Sequence, residues 1–328
     1  MYEKENRYID LHSDTVTMLH YPKENLFKNK RMVTIPAMQQ GGTLVQCFSA
    51  FVPTGFYPKP VRNALTWKKF NQIADKKDSL LRLHQDVLLP INCVQDIARC
   101  AEEEKIGALF TIEDAGIIGN DLEKLQSAYA RGVRIASLTW NHENTLAFPN
   151  SANTKAMQKG LKPLGFEAVQ EMNRLGIVID VSHLSDGGFW DVASKSQKPF
   201  IATHSNSRFV TNHPRNLTDD MLKCLGEKGG VTGLNFAPDF LSGRKDKTSL
   251  IADMVKHILH IRNVGGSGIL SIGTDFDGIH GKLDIGTPAE MPLLADALLK
   301  AGLSHDELEN MFQNNILRVF QEVWTKTE

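Results

Sequence analysis

The sequence predicts an α/β protein that folds as a single (β/α)8 barrel of the TIM type over residues 1–328. Short, nearly continuous apolar runs alternate with segments whose apolar residues recur at helical spacing, which is typical of parallel strands covered on both faces. Reactive side chains follow several of these runs, as expected at the mouth of a barrel. A doubly wound open sheet is the alternative, but it gathers its ligands at one switch point, and the sequence contains no Gly-x-Gly-x-x-Gly or Walker loop.

The predicted strands are runs rich in β-branched, aliphatic and aromatic residues that are bounded by Gly, Pro or polar residues. The second run, for example, stops at Pro53. Eight β/α units are the number that closes a barrel with a packed interior. Strands are expected at Tyr8–Asp14, Gly41–Val52, Ile106–Glu113, Val133–Trp140, Gly176–His183, Phe200–His204, Gly230–Phe236 and Gly268–Asp275.

The predicted helices separate these strands, except that a long polar connection is expected between the first two. Between residues 66 and 87 the apolar residues recur mostly three, four or seven apart, the mark of a one-sided helix. The closing helix begins near Ser304, where Glu307 completes a capping box and Leu303 and Leu308 are placed to form a hydrophobic staple. Helices are expected at Thr66–Val87, Cys93–Glu104, Asp121–Ala130, Leu164–Leu175, Asp186–Ser196, Thr218–Glu227, Leu250–Asn263 and 304–324.

The composition favours a small-molecule partner. Lys and Arg number 37 and Asp and Glu number 38, so there is no basic field for nucleic acid or an anionic membrane. The four cysteines form no C-x-x-C pair, which suits reduced thiols in the cytoplasm. Residues 1–7 are charged and no apolar run is long enough for a signal core or a membrane span, so we expect an unexported, cytoplasmic protein.

The first predicted strand ends in two residues of metal-ligand type. His12 and Asp14 are two residues apart, so in a strand both side chains would project from the same face. The alternative is that Asp14 caps a helix and His12 lies on the surface. His12 and Asp14 alone are half a metal site, and other strands must supply the remaining ligands.

Later strands supply ligands of the same kind. Glu113 ends the third predicted strand, and His183 and His204 end the fifth and sixth, which lie side by side in a barrel. Each histidine alone would more often be a hydrogen-bonded residue of the core or rim. Together with His12 and Asp14 these side chains would surround one barrel mouth, and such a set suits divalent metals.

The number of ligands indicates two ions. A catalytic zinc takes about three protein ligands and leaves one position open for water. The pair His12 and Asp14 and the pair His183 and His204 each lack one ligand, and the Glu113 carboxylate could bridge both. A hydroxide held between two such ions is a nucleophile at neutral pH, so hydrolysis is the expected reaction.

Asp275 ends the last predicted strand, which closes the barrel beside the first strand. Its carboxylate would face His12 and Asp14, where it could take a proton from the attacking water and return it to the leaving amine. For Asp277 we favour a different role, a turn formed with Gly278.

In their order and spacing, six motifs resemble the membrane dipeptidases, also called renal dipeptidases, a family of binuclear zinc peptidases related to the amidohydrolase barrels. The resemblance spans nearly the whole chain. It implies that His12, Asp14 and Glu113 hold one zinc ion and that Glu113, His183 and His204 hold the other. The motifs are His12-Ser13-Asp14, Thr111-Ile112-Glu113, Asp180–His183, Thr203–Arg208, His213–Leu217 and Gly273–Gly278.

The resemblance also implies roles for individual residues around the metal site. Asp275 matches the acid/base group, and Arg215 matches the arginine that grips the C-terminal carboxylate of the dipeptide. The family has a histidine after the fourth strand that polarises the scissile carbonyl. Here Trp140 stands in the nearest position, and we interpret His142 as the functional substitute, with a plain loop histidine as the alternative. Phe240 takes the place of a tyrosine near the substrate carboxylate and cannot donate that hydrogen bond.

The resemblance therefore implies a dipeptidase with two Zn²⁺ ions that also accepts a D-residue at the C-terminal position of its substrate. Animal members are secreted and lipid-anchored, whereas the polar residues 324–328 resemble the end of a soluble, bacterial-type relative. A homodimer is expected from the resemblance only. The alternatives are the same barrel acting on N-acyl amino acids or lactones, and a metal-binding barrel without catalytic activity.

Overall fold

The computed structural model describes residues 7–324. The expectations drawn from the charged residues 1–6 and from the polar residues 325–328 fall outside this part of the chain. The strands are β1 (Tyr8–Asp10), β2 (Thr43–Phe51), β3 (Leu88–Ile91), β4 (Ile106–Glu113), β5 (Val133–Ser137), β6 (Val178–Asp180), β7 (Thr232–Leu234), β8 (Thr248–Ser249), β9 (Leu270–Ile272) and β10 (Lys282–Leu283).

Helices cover the strands and extend the loops. Short 3₁₀ turns lie at Thr54–Phe56, Lys59–Val61, Ala115–Ile118, Ser267–Ile269 and Pro288–Glu290, and a π-helical turn lies at Asn310–Asn314. The α-helices are α1 (Thr15–Met18), α2 (Ile35–Gly41), α3 (Arg62–Leu83), α4 (Val94–Glu102), α5 (Glu123–Ala130), α6 (Thr154–Met157), α7 (Pro163–Leu175), α8 (Asp186–Lys195), α9 (Asp219–Glu227), α10 (Pro238–Leu241), α11 (Ile251–Gly265), α12 (Met291–Lys300), α13 (His305–Glu309) and α14 (Asn315–Trp324).

A closed ring of parallel strands confirms the predicted barrel. The hydrogen-bonded order is β6, β5, β4, β2, β1, β9 and β7, and each of these pairs is parallel. The sixth predicted strand closes the ring through two single bridges, in which Ile201 pairs with Asp180 and Ala202 pairs with Thr232. The doubly wound open sheet, which would leave two free edges, is therefore excluded.

Alternate side chains of the strands build two apolar cores, as the period of two in a strand requires. Ile9 and Ile135 belong to the cluster that fills the barrel, whereas Tyr8 and Ala136, which precede and follow them in the chain, belong to the cluster beneath the helices. Helix α14 closes the amino end of the barrel, because Phe320 joins the interior cluster and Asn315 hydrogen-bonds the carbonyl of the first residue of β9. The carboxyl ends of the strands are left to form a polar mouth.

The structure differs from the predicted element order after β1 and before β4, and it adds helix α12 and the parallel pair of β8 and β10, which the sequence did not predict. The segment between β1 and β2 contains α1 and α2, and the Thr34 side chain caps α2 by accepting from the Ala37 N–H. The helix expected at Thr66–Val87 ends at Leu83, and β3 follows it. This strand is only four residues long and includes Pro90, which cannot donate to a ladder, so it lies at an edge and pairs with β4.

Other expectations about the chain agree with the structure. The capping box is present, since Ser304 accepts from the Glu307 N–H at 3.1 Å and Glu307 accepts from the Ser304 N–H at 3.0 Å. The closing helix continues through the π-helical turn to α14. The four cysteines are free thiols. Within residues 7–324, no helix is both long enough and apolar enough to cross a membrane.

Two glycines allow the barrel strands to approach one carbonyl group closely. A Cβ atom on Gly273 would lie 1.8 Å from the Thr203 carbonyl oxygen, and one on Gly233 would lie 2.0 Å from the same oxygen. The obstacle is backbone that is held in the barrel, so it cannot move aside. This close approach therefore requires glycine at both positions.

We expect Gly273→Ala to lower the free energy of unfolding by about 3 kcal/mol, because the added methyl group overpacks the interior. Urea unfolding measures the change. Gly268→Ala is the matched control, since a Cβ there meets nothing within 4 Å, and its effect should stay within about 1 kcal/mol. Equal effects of the two substitutions would contradict this account of barrel packing.

Candidate metal centre

The predicted ligands meet at the carboxyl ends of the strands. His12 and Asp14 follow β1, Glu113 ends β4, His183 follows β6 and His204 follows the bridging segment 201–202. Their ligand atoms form two groups of three, each within 4.8 Å, and Glu113 belongs to both groups. The structure thus brings together all five side chains that the sequence suggested as ligands.

Asp14 reaches the centre from a helix terminus, not from a strand. The β1 strand ends at Asp10, and Asp14 occupies the N-cap position of α1 without a side-chain capping hydrogen bond. Its Oδ1 instead lies 3.8 Å from His12 Nε2. His12 is 3% exposed and Asp14 is 4% exposed, so the alternative of a surface histidine beside a capping aspartate is wrong.

The two carboxylate oxygens of Glu113 face different histidines. Oε1 lies 2.9 Å from His183 Nε2, and Oε2 lies 3.5 Å from His12 Nε2. His183 Nε2 also lies 3.0 Å from His204 Nε2. This arrangement is the one that a bridging carboxylate between two ligand groups needs.

The donor set fits divalent cations. His12 Nε2 and Asp14 Oδ1 are buried and have no hydrogen-bond partner among the described residues, although buried polar atoms are nearly always paired. The His183 and His204 nitrogens that face each other would repel through their lone pairs unless a cation or a proton lay between them. Imidazole nitrogens and carboxylate oxygens in groups of three suit zinc and similar ions.

The carboxylates around His12 form a surplus of negative charge. Burial alone would lower the pKa of His12, but Glu113, Asp14 and Asp275 raise that pKa to about 10. Burial and the nearby Glu113 carboxylate raise the pKa of Asp14 well above its usual value. Both shifts have the sign expected where carboxylates crowd together without enough positive charge, and a divalent cation would neutralise this excess.

The opposite side of the centre favours neutral imidazoles. Burial and the Arg215 guanidinium lower the pKa of His183 to about 4. Burial and the neighbouring His12 lower the pKa of His204 well below its usual value. The neutral form is the one whose nitrogen can bind a metal.

A buried aspartate, Asp180, orients His204 through a hydroxyl group. Asp180 accepts from the Ser182 N–H at 2.8 Å, the Thr203 N–H at 2.9 Å and the Thr203 hydroxyl at 2.7 Å. His204 Nδ1 lies 2.7 Å from that hydroxyl. Because His204 Nε2 faces the other ligands, Nδ1 carries the ring proton and donates to Thr203, which in turn donates to Asp180. Such partners behind a ligand set its tautomer and its direction.

Asp10 holds the other side of the mouth in the same way. It accepts from the Thr274 N–H at 2.9 Å, the Thr274 hydroxyl at 2.7 Å, Gln46 Nε2 at 2.9 Å and the His12 N–H at 3.3 Å. These bonds connect β1 with its two neighbours in the ring. The sequence analysis assigned no role to Asp10 or Asp180. Both could have been recognised from the sequence, because each is an acidic residue within an apolar run just before a candidate ligand.

Asp275 lies beside the same centre, as predicted. Its Oδ1 is 3.9 Å from His12 Nε2, and its Oδ2 accepts from Asn235 Nδ2 at 2.9 Å. Burial raises the pKa of Asp275 to about 6, although His12 opposes the shift. Asp275 and His183 have φ angles of 63° and 67°, a left-handed conformation that is uncommon outside glycine and is concentrated at functional sites. Asn235 was not suggested by the sequence.

Asp277 forms the expected turn with Gly278 and stays outside the cluster. Its carboxylate accepts hydrogen bonds from the Thr15 hydroxyl at 2.6 Å and the Met32 N–H at 2.7 Å. It therefore ties the loop after β9 to α1 and to the segment before α2.

A cleft of about 400 Å³ opens above the ligands. One wall is aromatic, since the Trp140 ring packs edge-on against Phe51 and Phe56 at centroid distances of 5.0 and 5.7 Å. The lining residues are Asp14, Met18, Phe51, Glu113, Trp140, Asn141, His183, Ala237–Phe240, Lys247, Asp275 and Gly278–Gly281.

His142 lies outside this cleft. Its ring packs behind Trp140, at 5.5 Å, and against Phe56, at 4.9 Å. It lines a separate cleft together with Lys59 and Arg62. The turn after β5 carries Trp140 into the metal cleft and His142 to the rear, so this placement does not support the predicted role of His142 at the scissile carbonyl.

Arg215 and Phe240 lie together next to the ligands. Arg215 is 5% exposed and donates to the Ser205 hydroxyl at 3.1 Å and to the His204 carbonyl at 3.2 Å. Its Nε is buried and has no partner among residues 7–324. The Phe240 ring covers the guanidinium at 5.3 Å. Two of the five guanidinium N–H groups are therefore engaged. Arg215 lines a smaller cavity beside His183, behind the Phe240 ring that forms part of the wall of the metal cleft.

Comparison with known proteins identifies the family to which this chain is similar. A family model described as membrane dipeptidase (peptidase family M19) matches residues 3–328. An uncharacterised dipeptidase of Schizosaccharomyces pombe is 30% identical over 342 residues, which cover 99% of this chain and 81% of the relative.

Two crystal structures share the whole fold. The structure of dipeptidase AC, a metallopeptidase of family M19, matches with a TM-score of 0.88 and 26% identity over 97% of this chain and 98% of that one. A metallopeptidase from Rhodobacter sphaeroides, bound to a phosphinate mimic of L-Ala-D-Ala, matches with a TM-score of 0.87 and 25% identity over 97% of this chain and 99% of that one.

The connection behind His204 can be tested with an isosteric change. We expect Asp180→Asn to lower the free energy of unfolding by about 2 to 3 kcal/mol, because its buried donors lose their acceptor. Zinc affinity should fall by about 10- to 100-fold. Chemical unfolding and competition with a chromogenic chelator measure the two effects. Asp220→Asn, at a side chain that is 81% exposed, should change neither, and unchanged zinc affinity in Asp180→Asn would contradict the proposed orientation of His204.

Proposed function

The chain belongs to the membrane dipeptidase family, peptidase family M19, and we propose that it is a zinc-dependent enzyme that hydrolyses dipeptides, including those with a C-terminal D-residue. The observation that carries this proposal is the position of Glu113, whose two oxygens face separate groups of buried ligands on the floor of the cleft. Two zinc ions, when bound there, would supply Lewis acidity for the scissile carbonyl and would lower the pKa of water.

His12, Asp14 and Glu113 are the proposed ligands of one ion, and Glu113, His183 and His204 those of the other. Each group offers three protein ligands, which leaves room for water and substrate. The two buried atoms without partners, His12 Nε2 and Asp14 Oδ1, belong to the first group. The neutral imidazoles favoured by burial belong to the second.

Arg215 is the proposed recognition group for the substrate carboxylate. A planar guanidinium can donate two parallel hydrogen bonds to a carboxylate, and burial strengthens the attraction. The contacts of Arg215 with Ser205 and with the His204 carbonyl hold it at a set distance from the ligands. A free carboxylate one residue beyond the scissile bond would reach it, whereas longer peptides would present a neutral amide at that position. Phe240, which covers the guanidinium, is the proposed apolar neighbour of the C-terminal residue.

Asp275 is the proposed acid/base group. Its Oδ2 is held by Asn235, so Oδ1 is the oxygen that faces His12 and the cleft. At Oδ1 the carboxylate can accept the proton of the attacking water and later donate it to the leaving amine. The Asp275 carboxylate also lies within 4.8 Å of the ligand atoms of His12 and His204, so it adjoins both proposed metal sites, and we assign it the proton transfer and not a metal bond.

The proposal extends to the stereochemistry of the substrate, the location of the protein and its oligomeric state. The proposed tolerance of a C-terminal D-residue draws on the Rhodobacter sphaeroides relative, which is bound to a mimic of L-Ala-D-Ala. The proposed cytoplasmic location draws on the four free cysteines. A homodimer is proposed on family resemblance alone.

The activity is tested with purified, zinc-loaded protein and a panel of L,L- and L,D-dipeptides. We expect cleavage, and we expect Asp275→Asn to lower kcat by about 10²- to 10⁴-fold with unchanged metal content, because only proton transfer is lost. Asp220→Asn serves as the control. Absence of cleavage by protein that holds two metals would refute the dipeptidase proposal, and faster turnover of N-acyl amino acids or lactones would identify the alternative substrates.

Recognition of the carboxylate is tested by Arg215→Lys. Lysine keeps the charge but loses the planar pair of donors, so KM for dipeptides should rise about tenfold or more with a smaller change in kcat. Dipeptide amides lack the carboxylate, so the same substitution should barely change their turnover. An equal loss on dipeptides and their amides would mean that Arg215 acts on the fold and not on the substrate terminus.

A further inference from the structure

Asn141 lies at the rim of the metal cleft and contacts one of the candidate ligands. Its Oδ1 is 2.8 Å from His183 Nδ1, and the residue is exposed and lines the cleft. It follows directly after Trp140, in the loop that leaves β5. This side chain therefore touches both the ligand His183 and the space in which a substrate would bind.

The direction of this hydrogen bond follows from the other ring nitrogen of His183. Nε2 faces Glu113 Oε1 at 2.9 Å and His204 Nε2 at 3.0 Å, so Nε2 is the nitrogen that would bind a metal and must carry a lone pair. Nδ1 then carries the proton and donates to Asn141 Oδ1. An amide is planar, with its oxygen and nitrogen on opposite arms. Once the oxygen faces His183, the Nδ2 group is left to donate into the cleft.

The residues on either side of Asn141 do not place a side-chain hydrogen-bond donor beside His183 as Asn141 does. The Trp140 ring, one residue before Asn141, is packed edge-on against Phe51 and Phe56 as part of the aromatic wall. His142 lies behind that ring.

We propose that Asn141 positions His183 for metal binding and that its Nδ2 group donates a hydrogen bond to the carbonyl oxygen of the scissile bond. The second role rests on the proposed dipeptidase function, whereas the first concerns metal binding alone. An acceptor behind a ligating histidine sets its tautomer and ring orientation. A preorganised neutral donor at the carbonyl stabilises the negative charge that develops there.

Two substitutions separate the two roles. Asn141→Ala removes both the acceptor and the donor, and we expect it to weaken the binding of one Zn²⁺ equivalent by about 10- to 100-fold. Asn141→Asp keeps an acceptor for His183 but loses the N–H group, so zinc affinity should be retained or increased while kcat falls by about 100-fold. Zinc affinity is measured by competition with a chromogenic chelator, and kcat and KM are measured on dipeptides at saturating zinc.

A neighbouring residue and a second variant complete the design. Glu143→Gln is the control. Glu143 lies in the same loop and its side chain is 53% exposed, so the substitution should leave zinc affinity and kcat unchanged. Asn141→Leu keeps the volume but not the acceptor, and it should weaken zinc binding as Asn141→Ala does. It serves as the second variant if the alanine variant folds poorly.

The outcomes are distinguishable from a failure of the proposed function. Wild-type zinc affinity in both Asn141→Ala and Asn141→Leu would overturn the positioning role. Wild-type kcat in Asn141→Asp would overturn the donor role. If the unsubstituted protein binds zinc but cleaves no dipeptide, the dipeptidase proposal and the donor role both fail, and the affinity measurements still decide the positioning role.

Discussion

Hydrogen bonds to buried aspartates hold the mouth of this barrel in shape. Asp10 and Asp180 end β1 and β6, and Asp114 directly follows β4. Asp114 accepts from the Thr54 N–H and hydroxyl and from Asn144 Nδ2 at 2.8 to 2.9 Å. A buried carboxylate is costly unless its oxygens are hydrogen-bonded, so the donors from neighbouring strands and loops are bound in defined places. Three of the five candidate ligands stand one to three residues from these aspartates in the sequence, so the same hydrogen bonds also position those ligands.

The centre built on this frame has two electrostatic sides. Asp14, Glu113 and Asp275 crowd around His12 and raise its pKa to about 10. The opposite side carries the cationic Arg215, which helps burial to keep the neighbouring imidazoles neutral. A divalent cation bound at the acidic side would offset the carboxylates there, whereas Arg215 would keep its positive charge for an anionic group. The two sides are therefore suited to different tasks, metal binding on one and attraction of a carboxylate on the other.

Sequence patterns predicted those helices and strands whose own residues contain a capping box or a continuous apolar run. Ser304 and Glu307 form the expected capping box, and the apolar runs form the ring of strands because burial on both faces requires continuous apolarity. The edge strand β3 was missed because a four-residue run that contains a proline carries little strand signal of its own. The role expected of His142 depended on the path of a loop, which residue spacing does not describe.

The sequence by itself determined the barrel and the chemical identity of its mouth, since parallel β/α units place the ends of their strands together and His12, Asp14, Glu113, His183 and His204 stand at those ends. Only the tertiary structure decided how these groups face one another. The division of the Glu113 oxygens between two histidines, the approach of Asp14 from a helix and the contact of Asn141 with His183 all arise between separate β/α units. Such contacts depend on how loops fold over a common centre, and no pattern within one unit encodes them.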